Sequence, residues 1–232
     1  MLQINHLAND VISLLFPELC NGCGTHLYYG EKEICTKCLA DLPFTDDHLF
    51  KENQVAKQLW GRLPCNAAMA MLYFRKATKV QNLIHSLKYK DQTAVGVKLG
   101  NILGEKLKLS ELYAGIDLII PVPLHPKKER LRGYNQCKYI ADGIAEVLNV
   151  KVSDLHLTRK TATASQTKKS RYDRYENMHD VFQVNQAEEL ENLHVLLIDD
   201  VITTGATLEA CGNALLMANI AKLSIAAIAF AE

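Results

Sequence analysis

The chain has 232 residues, 48% of them hydrophobic and 22% charged, and its 26 Lys and Arg are balanced by 26 Asp and Glu. At roughly 100–200 residues per domain, this leaves room for one full domain plus a small module, with enough apolar material for a sizeable core. Zero net charge excludes the global basic bias of a nucleic-acid or anionic-membrane binder, so any cationic patch has to be local.

In chain order, residues 1–16 place Leu7, Val11, Leu14 and Leu15 at helical spacing. They predict a short amphipathic helix that Pro17 ends. The apolar stretch Val11 to Phe16 is short and no Lys or Arg precedes it, unlike a secretory signal. No run reaches the roughly 18 apolar residues of a membrane span, so a cytoplasmic protein is the simplest expectation. Four of the seven cysteines follow as Cys20-Asn21-Gly22-Cys23 and Cys35-Thr36-Lys37-Cys38. Two CxxC knuckles in a cytosolic chain match a structural tetrahedral Zn²⁺ site better than two disulfides. Residues 1–47 carry only Lys32 and Lys37 against seven acids, so this module lacks a footprint for a phosphate backbone and suits scaffolding or protein contact. Pro43 to about Asp47 reads as a linker, dividing the chain into a helix and cysteine module at 1–47 and a domain at 48–232.

From Cys65 strands and helices alternate. Ala68 to Phe74, Asp117 to Val122, Val195 to Ile198 and Leu223 to Phe230 are strand candidates. Segments 80–87, 94–108, 137–148 and 206–218 have helical periodicity. Continuous apolar strands between helices predict an α/β fold with a parallel sheet covered on both faces. Residues 158–178 are polar and basic and predict a mobile loop.

The richest segment is Asp199-Asp200-Val201-Ile202-Thr203-Thr204-Gly205-Ala206-Thr207, between a buried strand and a helix. The helix N-terminus offers free N–H groups and partial positive charge to a phosphate. Gly205 permits close backbone approach, and Thr203, Thr204 and Thr207 add hydroxyls. The acids make sense as acceptors for sugar hydroxyls, or near a bridging Mg²⁺. A plain helix cap is the alternative, though a cap needs one such residue rather than the whole string. Cations for a second phosphate group come from two places. One is the segment 121–136, with Arg130 and Arg132. The other is the predicted loop, with Arg159, Lys160, Lys168, Lys169, Arg171 and Arg174. Arg suits bidentate phosphate contact, which favours Arg171 and Arg130.

The acid-rich string closely resembles the motif by which type I phosphoribosyltransferases bind 5-phosphoribosyl-1-pyrophosphate (PRPP). The order of the Cys₄ module, Pro121-Val122-Pro123-Leu124-His125, Arg132-Gly133-Tyr134-Asn135-Gln136, the basic loop and this motif resembles the ComF/ComFC family along nearly the whole chain. The resemblance implies a parallel sheet with flanking helices, a variable hood and a small N-terminal zinc-binding module. It places ribose contacts on Asp199 and Asp200, and the 5′-phosphate on Thr203, Thr204, Gly205, Ala206 and Thr207. It adds pyrophosphate contacts from Arg130, Lys168 and Arg171, and gives Asp199, Asp200 and Arg171 catalytic roles. It implies Mg²⁺ with PRPP, bacterial origin, and a link to DNA uptake in natural competence. A PRPP or nucleotide sensor, or a single-stranded DNA binder stacking bases on Tyr172 and Tyr175, is the alternative to phosphoribosyl transfer. The acceptor is not legible in the sequence.

Overall fold

The computed structural model describes residues 17–160 and 181–231. The predicted helix at 1–16 and residues 161–178 of the predicted loop lie outside the described residues. In order come α1 (Thr36–Ala40), α2 (Gln54–Leu59), β1 (Ala67–Phe74), α3 (Lys79–Tyr89), α4 (Thr93–Lys108) and β2 (Leu118–Pro121). There follow α5 (Pro126–Arg132), α6 (Gln136–Leu148), β3 (Lys151–Val152), β4 (Leu157–Arg159) and β5 (Phe182–Val184). The chain closes on β6 (His194–Ile202), α7 (Ala206–Leu216) and β7 (Lys222–Ala231).

Five strands form a parallel sheet in the order β1-β7-β6-β2-β3, with helices on both faces, as the alternation predicts. Alternation along β6 divides the core. Leu196 and Ile198 join the cluster of Leu99, Leu103, Ile140 and Ile144, while Val195 and Leu197 join that of Leu208, Cys211 and Leu215. The first face is closed by a glycine seam. A Cβ on Gly100 would lie 2.2 Å from the Ile140 carbonyl oxygen, and one on Gly143 2.2 Å from that of Val97. Helices α4 and α6 are therefore in backbone contact, which sets where α6 begins over the sheet.

Three local departures from the sequence reading have physical causes. β6 does not stop at Ile198; it runs through both acids to Ile202, because β7 is long enough to pair Asp199, Val201 and Ile202 with Ala227, Ala229 and Phe230. Thr158 and Arg159 are strand rather than loop: β4 pairs antiparallel with β5, anchored by buried Leu157 and Phe182. The segment read as a linker lies along the outer edge of β1. Tyr73 N donates to Pro43 O at 3.0 Å, Thr45 N donates to Met71 O at 3.1 Å, and Phe44 bridges Leu72. That covers a sheet edge that would otherwise expose unpaired backbone groups. It also draws Cys20, Ile34, Cys35 and Leu42 into the cluster of Leu72, Val80 and Leu83.

Candidate functional site

The sheet topology locates a crevice before any side chain is considered. From β2 the chain passes through α6 to β3 on one side, and from β6 through α7 to β7 on the other. The winding reverses between neighbours β2 and β6, and open parallel sheets bind ligands at the carboxyl ends of such strands. The carboxyl end of β6 carries Asp199 and Asp200, and that of β2 leads into 122–136. The two lips are tied: Val122 N donates to Ile198 O at 2.8 Å, and Asn135 Nδ2 donates to Val122 O at 3.0 Å.

Thr203 to Gly205 form the turn into α7. Gly205 has φ +74°, in the left-handed region where a side chain is strained, and a Cβ there would lie 3.1 Å from Leu59 Cδ2. The first-turn N–H groups of α7 have no acceptor within the helix, and Thr203, Thr204 and Thr207 are exposed. The turn is held from behind. Gln58 Nε2 donates to Thr203 O at 2.6 Å, and Arg62 Nη1 donates to Thr204 O at 2.9 Å while its Nε donates to Glu209 at 3.0 Å. With its carbonyls thus engaged by α2 and the residues after it, the turn is preorganised for an anion at its amides.

The acids face opposite sides of β6 and have different surroundings. The buried Asp200 carboxylate accepts from Lys88 Nζ and from Gln136 Nε2, both at 2.8 Å. Burial alone would lower the Lys88 pKa, but the Asp200 charge and hydrogen bond outweigh it and hold the ammonium above its ordinary value. Asp199 Oδ1 accepts from Asp200 N at 2.8 Å and from the Cys137 thiol at 3.6 Å. Burial, then the Asp200 charge, push the Asp199 carboxyl up to about 7. Folded Asp199 thus keeps a proton that the unfolded chain sheds near 3.8, so stability falls as pH rises from about 4 to about 7. Asp47, pushed up to about 6 by burial, contributes in the same window. Asp199→Asn is expected to flatten the fall in urea midpoint between pH 5 and pH 8 and to raise the midpoint at pH 8. An unchanged slope would remove Asp199 as its source.

The structure brings Asp199 and Asp200 together with Lys88, Gln136 and Cys137, and continues directly into Thr203, Thr204, Gly205, Ala206 and Thr207. Arg130 is exposed on α5; the cation of this helix that joins the network is Arg132, which donates to Gln136 Oε1 and lies over the Tyr89 ring at 5.5 Å. Lys168 and Arg171 lie outside the described residues. Lys88 was missed by sequence reasoning. It follows the apolar stripe of α3 and looks like an ordinary helix-end lysine, with nothing local linking it to Asp200.

Away from the crevice, Cys20, Cys23, Cys35 and Cys38 bring their Sγ atoms within 4.8 Å of one another. Tetrahedral zinc with bonds of about 2.3 Å separates its sulfurs by about 3.8 Å. Cys23 and Cys35 stand 3.8 Å apart, too far for a disulfide. Backbone amides point at the sulfurs: Gly22 N and Cys35 N donate to Cys20 Sγ at 3.4 and 3.2 Å, and Cys38 N donates to Cys35 Sγ at 3.4 Å. Such donors stabilise thiolates around a metal, so the cluster is compatible with zinc.

A model of the phosphoribosyl transferase domain matches residues 135–232. The DNA utilization protein YhgH of Escherichia coli O6:H1 is 27% identical over 228 residues, 91% of this chain and 96% of its own length. The YhgH of Salmonella typhi is 27% identical over 146 residues, and the match spans 62% of this chain and 63% of that relative. Among solved structures, glutamine PRPP amidotransferase from B. subtilis is similar at TM-score 0.44 and 18% identity, covering 62% of this chain and 30% of that one. Adenine phosphoribosyltransferase from Saccharomyces cerevisiae is similar at TM-score 0.41 and 14% identity, covering 62% and 72%. Among the described residues no helix is long and apolar enough to cross a membrane. The chain thus joins a parallel sheet and a zinc-compatible cysteine cluster to a stretch, residues 135–232, that matches the phosphoribosyl transferase domain, and it is similar to YhgH along nearly its whole length.

Proposed function

We propose that the crevice between β2 and β6 binds PRPP with Mg²⁺, and that the protein transfers the phosphoribosyl group to an acceptor with release of pyrophosphate. The observation that carries this reading is the acid pair beside a glycine-opened helix N-terminus at the point where the sheet's winding reverses. The amides and hydroxyls of Thr203 to Thr207 hold the 5′-phosphate. Asp199 and Asp200 accept hydrogen bonds from the ribose hydroxyls, and binding draws Asp199 into its charged form. Arg130, Lys168 and Arg171 are the cations this reading assigns to the diphosphate. Mg²⁺ carried in with the diphosphate would offset part of the charge that develops on the leaving group. The bond from ribose C1 to the diphosphate oxygen breaks with its electron pair leaving on pyrophosphate. An acceptor lone pair forms the new bond to C1, and the acceptor's proton is lost. Zinc in the Cys20, Cys23, Cys35 and Cys38 cluster is structural, and the chain divides in sequence into a zinc module at 1–47 and a domain at 48–232. The protein acts in the cytoplasm.

The name of the relatives favours a second reading, in which the same site is a PRPP or nucleotide sensor, or serves a single-stranded DNA-binding factor with partners in DNA import. Titration calorimetry separates the readings. Wild type binds PRPP with Mg²⁺, and Asp199→Asn/Asp200→Asn weakens binding by a hundredfold or so, from the loss of two charge-assisted acceptors. Pyrophosphate release with one member of a panel of nucleobases and amines selects the transferase. PRPP binding without release for any acceptor selects the sensor, and no PRPP binding by folded protein sinks both.

A further inference from the structure

Three of the four cluster cysteines are sealed and one is not. Cys20 and Cys38 are 1% exposed and Cys35 is 6% exposed, whereas Cys23 is exposed. Backbone does much of the sealing. Cys20 Sγ accepts from Gly22 N and Cys35 N, and Cys35 Sγ accepts from Cys38 N. Gly22 lies so close over Cys38 that a Cβ on it would stand 3.1 Å from the sulfur. Around Cys23 the surface opens instead. A Cβ on neighbouring Gly24 would meet no atom within 4 Å, and the Thr25 hydroxyl lies 2.9 Å from Cys23 Sγ, placed to donate to a thiolate. A thiolate is both the metal ligand and the nucleophile that oxidants attack, so access decides which sulfur of a cluster reacts first. An exposed sulfur alone would be the ordinary rim of a small knuckle. Cys23 has in addition a second thiol in reach: buried Cys35 Sγ lies 3.8 Å away.

We propose that Cys23 is an oxidation site through which a peroxide discharges the zinc cluster, with Cys35 as the resolving thiol. The proposal rests on zinc being held there. The Cys23 thiolate attacks one oxygen of hydrogen peroxide. The S–O bond forms, the O–O bond breaks and hydroxide leaves, so the sulfur is oxidised by two electrons and the peroxide is reduced by two. The Cys35 thiolate then attacks the Cys23 sulfur, forming the S–S bond and expelling a second hydroxide. The thiolates left on Cys20 and Cys38 are too few for a tetrahedral site, and zinc is released. Reduction by a dithiol regenerates the ligands by thiol–disulfide exchange. Helix α3 links this event to the crevice. At its start Lys79 pairs with Asp41, and Asn82 Nδ2 donates to the carbonyl of Gly22, the residue before Cys23. At its end Lys88 pairs with Asp200. Opening the first knuckle therefore loosens the helix that neutralises one acid of the pair.

The test adds hydrogen peroxide to zinc-loaded full-length protein. A chromogenic chelator reads zinc release, peptide mass mapping reads the disulfide, and hydrogen exchange reads α3. Zinc release is expected together with a Cys23–Cys35 bond and faster exchange over α3, all reversed by dithiothreitol and added zinc. Cys23→His keeps a ligand set that zinc accepts, and is expected to release zinc at least about tenfold more slowly than wild type. Release from this variant at the wild-type rate, a disulfide that leaves Cys23 out, or a wild type that keeps its zinc in peroxide overturns the proposal. If Cys23→His does not hold zinc, the wild-type disulfide map decides alone. Exchange over α3 that stays unchanged after release keeps the oxidation site and severs its link to the acid pair. Wild type that carries no zinc before peroxide is added, and takes none up, removes the zinc reading itself and this proposal with it.

Discussion

Gly143→Ala is expected to destabilise the protein by about 3 kcal/mol, or about 10 °C in Tm for a chain of this size. The added methyl would sit 2.2 Å from the Val97 carbonyl oxygen and 2.9 Å from Asn101 N, both backbone atoms of α4. Neither can rotate away, so the helices must part. Parting uncovers apolar surface around Leu99, Leu103, Ile140 and Ile144, all fully buried. It also shifts the start of α6, where Gln136 reaches Asp200, so the effect passes from packing to the crevice. Gly96→Ala is the comparison. Its Cβ lies nearest Leu87 Cδ1 at 2.9 Å, which can turn away, and Tyr139 Cβ at 3.0 Å, which needs a shift of only a few tenths of an ångström, so a smaller loss is expected there than from a carbonyl oxygen at 2.2 Å. Scanning calorimetry of both variants reads the difference. A Gly143→Ala protein melting within a degree or two of wild type would mean that the α4–α6 approach is looser than described.

The second large expected effect concerns the cysteine cluster, proposed above to hold structural zinc. Structural zinc contributes about 10–16 kcal/mol of apparent binding free energy in small metal-dependent domains, and that energy is folding energy. Here the consequence is not confined to the module. Cys20, Cys35 and Cys38 are buried among the residues that also hold Leu72 and Val80. Asn82 Nδ2 donates to Gly22 O at 2.8 Å, and Lys79 pairs with Asp41 at 2.6 Å. Purified protein is expected to carry about one zinc per chain by elemental analysis. Chelation or Cys38→Ala is expected to lower Tm by more than about 10 °C and to raise hydrogen exchange at Thr45 and Tyr73 on the β1 edge. Metal-free protein with wild-type melting would show that the thiols are held by packing alone.

The differing environments of the two acids explain why the motif could be recognised while its working state could not. Two adjacent aspartates before a glycine turn are visible as letters. That Asp200 is neutralised by Lys88 while Asp199 is pushed toward protonation depends on which helix lies over each face of β6. Arg130 illustrates the same limit. The segment 121–136 was legible as a cation source, but rotation of α5 places Arg132, about 200° round the helix from Arg130, against Gln136.

Taken alone, the sequence determined what is local or periodic: the apolar strands of a parallel sheet, the phosphate-suited turn after β6 and the paired cysteine knuckles. Each is set by a few adjacent residues whose spacing carries its own chemistry. Tertiary structure alone decided the pairing of Lys88 with Asp200, the grip of Gln58 and Arg62 on the turn, and the backbone contact at Gly100 and Gly143. It also laid residues 43–45 along the edge of β1. These depend on strand order and on how closely helices approach, quantities set by packing summed over the whole chain and carried by no single stretch of it.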